Sequence, residues 1–144
     1  MLINEQPVIL RDLTFEEINL LTPIINSDEE AEDEMVVYET DSVIDIEGMK
    51  FTPTYECEVD DEYGSFQLQT IYLEPVESGE QILEKLHAWK NRITEKYDCD
   101  ILEDCYEQPD YTGEICYPDN DDGWTLKLNT NAFNFDYEVR IEID

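Results

Sequence analysis

The stretch Phe51-Thr52-Pro53-Thr54-Tyr55-Glu56-Cys57-Glu58-Val59-Asp60 decides the fold. Phe51, Pro53, Tyr55, Cys57 and Val59 alternate with Thr52, Thr54, Glu56, Glu58 and Asp60. Successive side chains of a strand point to opposite faces, so a period of two predicts one face in a core and the other in water. Asp60-Asp61-Glu62-Tyr63-Gly64 then reads as a turn into a second strand, Ser65–Leu73. The pair is expected to form an antiparallel hairpin.

The same pattern recurs further along the chain. Phe135, Tyr137, Val139, Ile141 and Ile143 are expected to face inward, and Asp136, Glu138, Arg140, Glu142 and Asp144 outward. Trp124–Thr130 precedes that strand. Met35–Thr40 and Ser42–Ile46, rich in Val and Ile, precede the opening hairpin, with a turn at Gly48. Between these groups lies a helical pattern. Ile82, Leu86, Trp89, Ile93 and Tyr97 recur at intervals that place them on one stripe. Ser78 and Gln81 stand at capping-box spacing, which predicts a helix over about 78–97. Thr14 and Glu17 have the same spacing, and Pro23 ends the pattern, predicting a short helix over about 14–22. Residues 28–34 hold six acids in seven positions and are expected to be a solvated acidic loop. Residues 98–113 read as irregular.

These elements predict an α+β domain, a mainly antiparallel sheet with one principal amphipathic helix packed on one face. At 144 residues the chain suits a single domain spanning 1–144. It is large enough to fold without a disulfide or metal staple.

The charge is the anomaly. There are 38 Asp plus Glu against 8 Lys plus Arg, a formal net charge of −30. Small soluble domains usually sit within about 2–8 charges of neutrality. Duplex DNA carries one charge per ~1.7 Å, so this total matches roughly 50 Å of duplex, while a domain this size is only about 37 Å across. Lys85, Lys90, Arg92 and Lys96, half of all the bases, fall on the principal helix. The strands and loops therefore carry the negative excess. Outward residues two apart on a strand repeat at about 6.7 Å, comparable to successive phosphates of a nucleic-acid strand. Carboxylates so arrayed suit Lys and Arg sites built for phosphate. Salt-adapted proteins are also broadly acidic, but in them no single face is special. The distribution over the folded exterior separates the two explanations.

Catalytic and metal-binding motifs are missing. The four cysteines, Cys57, Cys99, Cys105 and Cys116, include no pair two residues apart, and His87 is the single histidine. No zinc site follows, and free thiols are expected. His87 lies off the helical stripe and reads as a surface or boundary residue. The five glycines are not grouped into a phosphate loop. Aligning Gly123 with the sixth position of a calcium loop puts Pro118 first and Asn129 twelfth, where acids are required, so Asp119-Asn120-Asp121-Asp122-Gly123 is expected to be a turn. No cofactor is expected. No stretch reaches 18 apolar residues, and the N-terminus lacks a basic region and apolar signal core, so a cytoplasmic protein with no membrane contact is expected.

The expected function is non-catalytic binding of a basic protein, such as a nucleic-acid-binding protein or nuclease. Direct nucleic-acid binding is disfavoured because the field repels phosphate. The candidate partner-binding carboxylates are Asp28, Glu29, Glu30, Glu32, Asp33, Glu34, Glu56, Glu58, Asp60, Asp61, Glu62, Asp119, Asp121, Asp122, Asp136 and Glu138. In composition alone the chain is similar to DNA-mimic inhibitors, small acidic proteins often from phages or mobile elements that block restriction, repair or CRISPR enzymes. That similarity implies a stoichiometric inhibitor occupying a basic channel. An immunity or antitoxin protein covering a basic toxin through Tyr106, Tyr111 and Tyr117 is the alternative. An acidic accessory subunit ranks third, and a carboxylate-based metalloenzyme last.

Overall fold

The computed structural model describes residues 1–30, 34–60, 62–105, 112–118, 123–131 and 136–144. In chain order the elements are β1 (Leu2–Ile3), β2 (Gln6–Pro7), α1 (Phe15–Leu21), β3 (Ile24–Glu30), β4 (Met35–Thr40), β5 (Ile44–Ile46), β6 (Met49–Asp60), β7 (Ser65–Pro75), α2 (Ile82–Lys96), β8 (Asp100–Cys105), β9 (Thr112–Tyr117), β10 (Trp124–Asn131) and β11 (Asp136–Ile143). A short 3-10 turn, Leu10–Asp12, precedes α1. The class is α+β with the sheet dominant. No described helix is long and apolar enough to cross a membrane.

All pairings among the described strands are antiparallel, and one sheet results, in the order β2-β1-β5-β6-β7-β11-β10-β9-β8. β4 also pairs β6, and β3 pairs β4. The alternating stretch read first is the organiser. β6 runs for 12 residues. One of its edges holds β7 from Phe51↔Pro75 to Asp60↔Ser65. The other edge is shared, with β5 at its beginning (Ile44↔Phe51) and β4 further on (Met35↔Glu58). After α2 the chain lays down β8, β9 and β10, and β11 returns beside β7, with Ile141 opposite Ile71.

Inward residues follow the period of two. Phe51, Pro53, Tyr55 and Cys57 of β6 are buried, as are Val139, Ile141 and Ile143 of β11. Phe135 lies outside the described residues. α2 covers this inner face with Ile82, Leu86, Trp89 and Ile93, all buried. Trp89 donates its indole N–H to the Ile46 carbonyl at 2.8 Å, and its ring stands 4.9 Å from that of Phe51. Tyr97 meets Trp124 edge-on at 5.3 Å. Truncating a fully buried Trp such as Trp89 to Ala typically costs about 3–5 kcal/mol. At α1, Thr14 caps as its spacing predicts. Its hydroxyl accepts the Glu17 amide, and the Glu17 carboxylate accepts the Thr14 amide.

Three expectations are corrected. α2 begins at Ile82, not near 78, and no Ser78–Gln81 capping box forms. Gly79 sits at φ +119, which breaks the helical path before Gln81. Residues 28–34 are not a loop throughout, because Asp28–Glu30 complete β3 against Val37, Val36 and Met35. On an edge strand acids remain solvated on both faces, and inward charges discourage further pairing. The supposedly irregular stretch 98–113 contains β8 and the first residues of β9.

Candidate partner-binding face

α2 covers the inner face; on the opposite face the small polar side chains Thr70, Thr125, Asn129 and Asn131 are buried among longer, more exposed neighbours. Register assigns its residues. Glu56 lies between Val37 and Thr70, Thr54 between Glu39 and Tyr72, and Glu58 between Met35 and Gln67. Asp28 stands opposite Val37, and Glu142 opposite Thr70. Glu138 faces Asn129, and Asp136 faces Asn131. Strand parity thus places Asp28, Glu39, Glu56, Glu58, Asp136, Glu138 and Glu142 on the outward side, with Glu74 beside them, its carboxylate accepting the Tyr137 hydroxyl at 3.2 Å. Along a strand these positions repeat at about 6.7 Å, and between neighbouring strands at about 4.8 Å.

The face has two halves. β3, β4 and β7 contain no Lys or Arg, and β6 has only Lys50, opposite Asp45 at the strand's start. On β10 and β11 the carboxylates are partly answered. Arg140 stands 3.4 Å from Glu138 and 3.3 Å from Glu142, and Lys127 is 2.9 Å from Glu142. These pairs, whose Arg140 and Lys127 side chains are half-buried, cancel charge locally. At the junction the Tyr72 hydroxyl reaches Glu56 at 3.5 Å. Burial, then the Glu56 carboxylate, pushes the Tyr72 phenol up, with Arg140 acting the other way.

Not every candidate carboxylate belongs to this surface. Glu29 takes an inward register position opposite Val36, yet is exposed because β3 is an edge. Glu30 is placed by its backbone in β3. Glu34, at φ +55, occupies the β3–β4 turn, and its carbonyl accepts the Val59 amide at 2.9 Å. The Asp60 carboxylate serves the β6–β7 turn, accepting the amides of Glu62 at 3.0 Å and Tyr63 at 3.4 Å. Glu62 is exposed in that turn. Glu32, Asp33, Asp61, Asp119, Asp121 and Asp122 lie outside the described residues, as do Tyr106 and Tyr111. Tyr117 is 42% exposed, whereas Trp124 is buried.

Sequence reading missed Glu39 and Glu74 as members of the face. Glu39 shares the parity of Val37 on β4 and Glu74 that of Tyr72 on β7, and that parity was the available signal. It also missed Glu47, in the β5–β6 turn, whose side chain is 5% exposed. Its carboxylate accepts the Leu2 amide, the Lys96 ammonium and the Tyr97 hydroxyl.

Polar groups also meet beneath α2. The buried Lys90 ammonium donates to Glu114, while His87 Nδ1 stands 4.0 Å from the same carboxylate and Nε2 lies 3.4 Å from the Thr130 hydroxyl. His87 is half-buried, a boundary residue. Among the described residues no three His, Cys, Asp or Glu side chains converge as metal ligands would. Compared with protein-family models, curated proteins and solved structures, the chain finds no match.

Proposed function

We propose that this chain is a non-catalytic, stoichiometric inhibitor that presents its outer sheet face to the basic channel of a nucleic-acid-binding protein, in place of nucleic acid. The observation that carries the reading is the half-face on β3, β4, β6 and β7. There, carboxylates at strand spacing occur with no Lys or Arg beyond Lys50. Guanidinium and ammonium groups placed to grip phosphates meet carboxylates with the same charge-assisted hydrogen bonds. Crowding of one sign on one surface also gives fast, steered association. The near-balanced helix side supports a directional encounter. Three of its four bases are answered locally, Lys85 by Glu77, Lys90 by Glu114 and Lys96 by Glu47.

The test is a salt-gradient elution of host proteins from the immobilised chain, followed by competition on the captured protein. The expected result is a basic nucleic-acid-binding protein whose affinity for this chain falls steeply with salt and whose nucleic acid competes. Binding indifferent to salt, or a ternary complex with undisturbed nucleic acid, overturns the proposal.

A further inference from the structure

A second surface lies at the other side of the β6–β7 hairpin tip, on the part of the inner face that α2 does not reach. Phe15, the first residue of α1, packs against Tyr38 of β4 at 5.3 Å and Phe66 of β7 at 6.2 Å. The rings are inclined to Phe15 by 57° and 78°, tilted and edge-on packing. They line an open cleft of about 610 Å³, with Asp12, Glu16 and Asp60 also on its wall. Phe15 is 37% exposed, so part of its ring is open to the cleft. The chain's own Arg11 also lines this cleft, its Cδ 3.3 Å from where a Cβ would stand at Gly123, and the three carboxylates of the wall outnumber it.

We propose that this cleft receives an arginine side chain of the basic partner. The inference rests on the reading above that the partner is cationic. The guanidinium is planar and weakly hydrated, so it can lie on an aromatic face while its edge meets a carboxylate. Lysine, a compact and strongly hydrated charge, exploits inclined rings less well. Asp12 and Glu16 supply the carboxylates, since one Asp60 oxygen already serves the hairpin turn. The sheet face then provides attraction at a distance, and the cleft provides an anchor that persists when salt screens that attraction.

The test uses fluorescein-labelled hepta-arginine and hepta-lysine peptides, read by anisotropy on the whole chain at low and physiological salt. At physiological salt the wild type prefers arginine over lysine by about two- to fivefold, the size of an exposed cation–π contact. Phe15→Leu keeps an apolar side chain without a ring, and is expected to bring that preference close to one. The pair Asp12→Asn with Glu16→Gln is expected to weaken both peptides. It decides the matter alone if a melting curve shows the Phe15 variant misfolded. An arginine preference unchanged in folded Phe15→Leu, or binding of both peptides undiminished in the Asp12→Asn, Glu16→Gln pair, overturns the cleft while leaving the acidic sheet face standing. Failure of the wild type to bind either peptide at low salt overturns both.

Discussion

The Glu47 carboxylate accepts the backbone amide of Leu2 at 2.7 Å, across 45 residues of chain. The same group takes Lys96 at 2.9 Å and the Tyr97 hydroxyl, so it ties β1 to the last turn of α2. Burial alone would raise its pKa. The Leu2 amide, Tyr97 and Lys96 outweigh burial and leave it below the ordinary value of 4.5. A carboxyl depressed in the fold stabilises above its unfolded pKa, and that stability is lost as pH falls through the folded one. Glu47→Ala is expected to cost about 1.5–3 kcal/mol at neutral pH, the usual worth of hydrogen bonds to a charged group. The difference from wild type should shrink as pH falls below about 4.5. Urea melts at neutral and acid pH measure this, and equal costs at both would refute it.

Lys90 and Glu114 present the opposite risk, a buried pair in which either member alone is a liability. Lys90→Ala leaves Glu114 facing the underside of α2 without its cation, and removal of one partner of a buried pair typically costs about 3–5 kcal/mol. The double change Lys90→Met with Glu114→Leu should recover most of that loss, since apolar replacement of a buried pair is often neutral. A double-mutant cycle by thermal melting decides it.

Buried thiols give a chemical readout. Burial, then the Glu56 charge, pushes Cys57 up to about 12, and burial likewise raises Cys116. Thiolate is the reactive form, so iodoacetamide at about pH 8 should spare both in the native protein. Cys99, only half-buried, should be modified first of the three. Mass spectrometry of limited labelling checks the order. Early labelling of Cys57 would contradict the packing of β6 against β4 and β7.

Crowded carboxylates strain the free protein. Screening reaches the interaction range of neighbouring side chains as salt rises, because the Debye length shortens from about 30 Å at 0.01 M to about 10 Å at 0.1 M. The melting temperature is expected to climb by several degrees over that range, on the scale of about 1–2 kcal/mol. Replacing Glu39, Glu56 and Glu58 by Gln should reduce the climb. A salt-independent melting temperature would show that the outer face carries no such strain.

The sequence made some elements plain because a single physical demand dominated them. The alternation in Phe51–Asp60 and in 136–144, and the Ile82–Ile93 stripe, each reflect one face in the core. The Thr14–Glu17 box is a local hydrogen-bond pattern, independent of tertiary partners. Asp28–Glu30 were illegible because their strand character comes from across the ladder, from Met35, Val36 and Val37. β8 escaped for a similar reason. Ile101 and Leu102 are adjacent, and both are exposed, so an edge strand there produces no alternation. Ser78 and Gln81 misled because spacing says nothing about φ at the intervening Gly79. For the candidate face, parity identified individual carboxylates. Their gathering onto one surface depends on β7 meeting β11, where Leu73 pairs with Val139 and Ile71 with Ile141 across a long stretch of chain that no local pattern encodes.

Among the described strands β8 ends the sheet, and its outer edge carries Ile101 and Leu102, 45% and 54% exposed. Such a margin invites a neighbouring molecule to add a strand. Mutual repulsion between copies of so anionic a chain opposes that docking. Whatever quenches the repulsion, whether acid, concentrated salt or a bound polycation, also lifts the guard on this margin. Titrating the protein to neutrality should therefore drive it toward self-assembly through β8 before its core gives way.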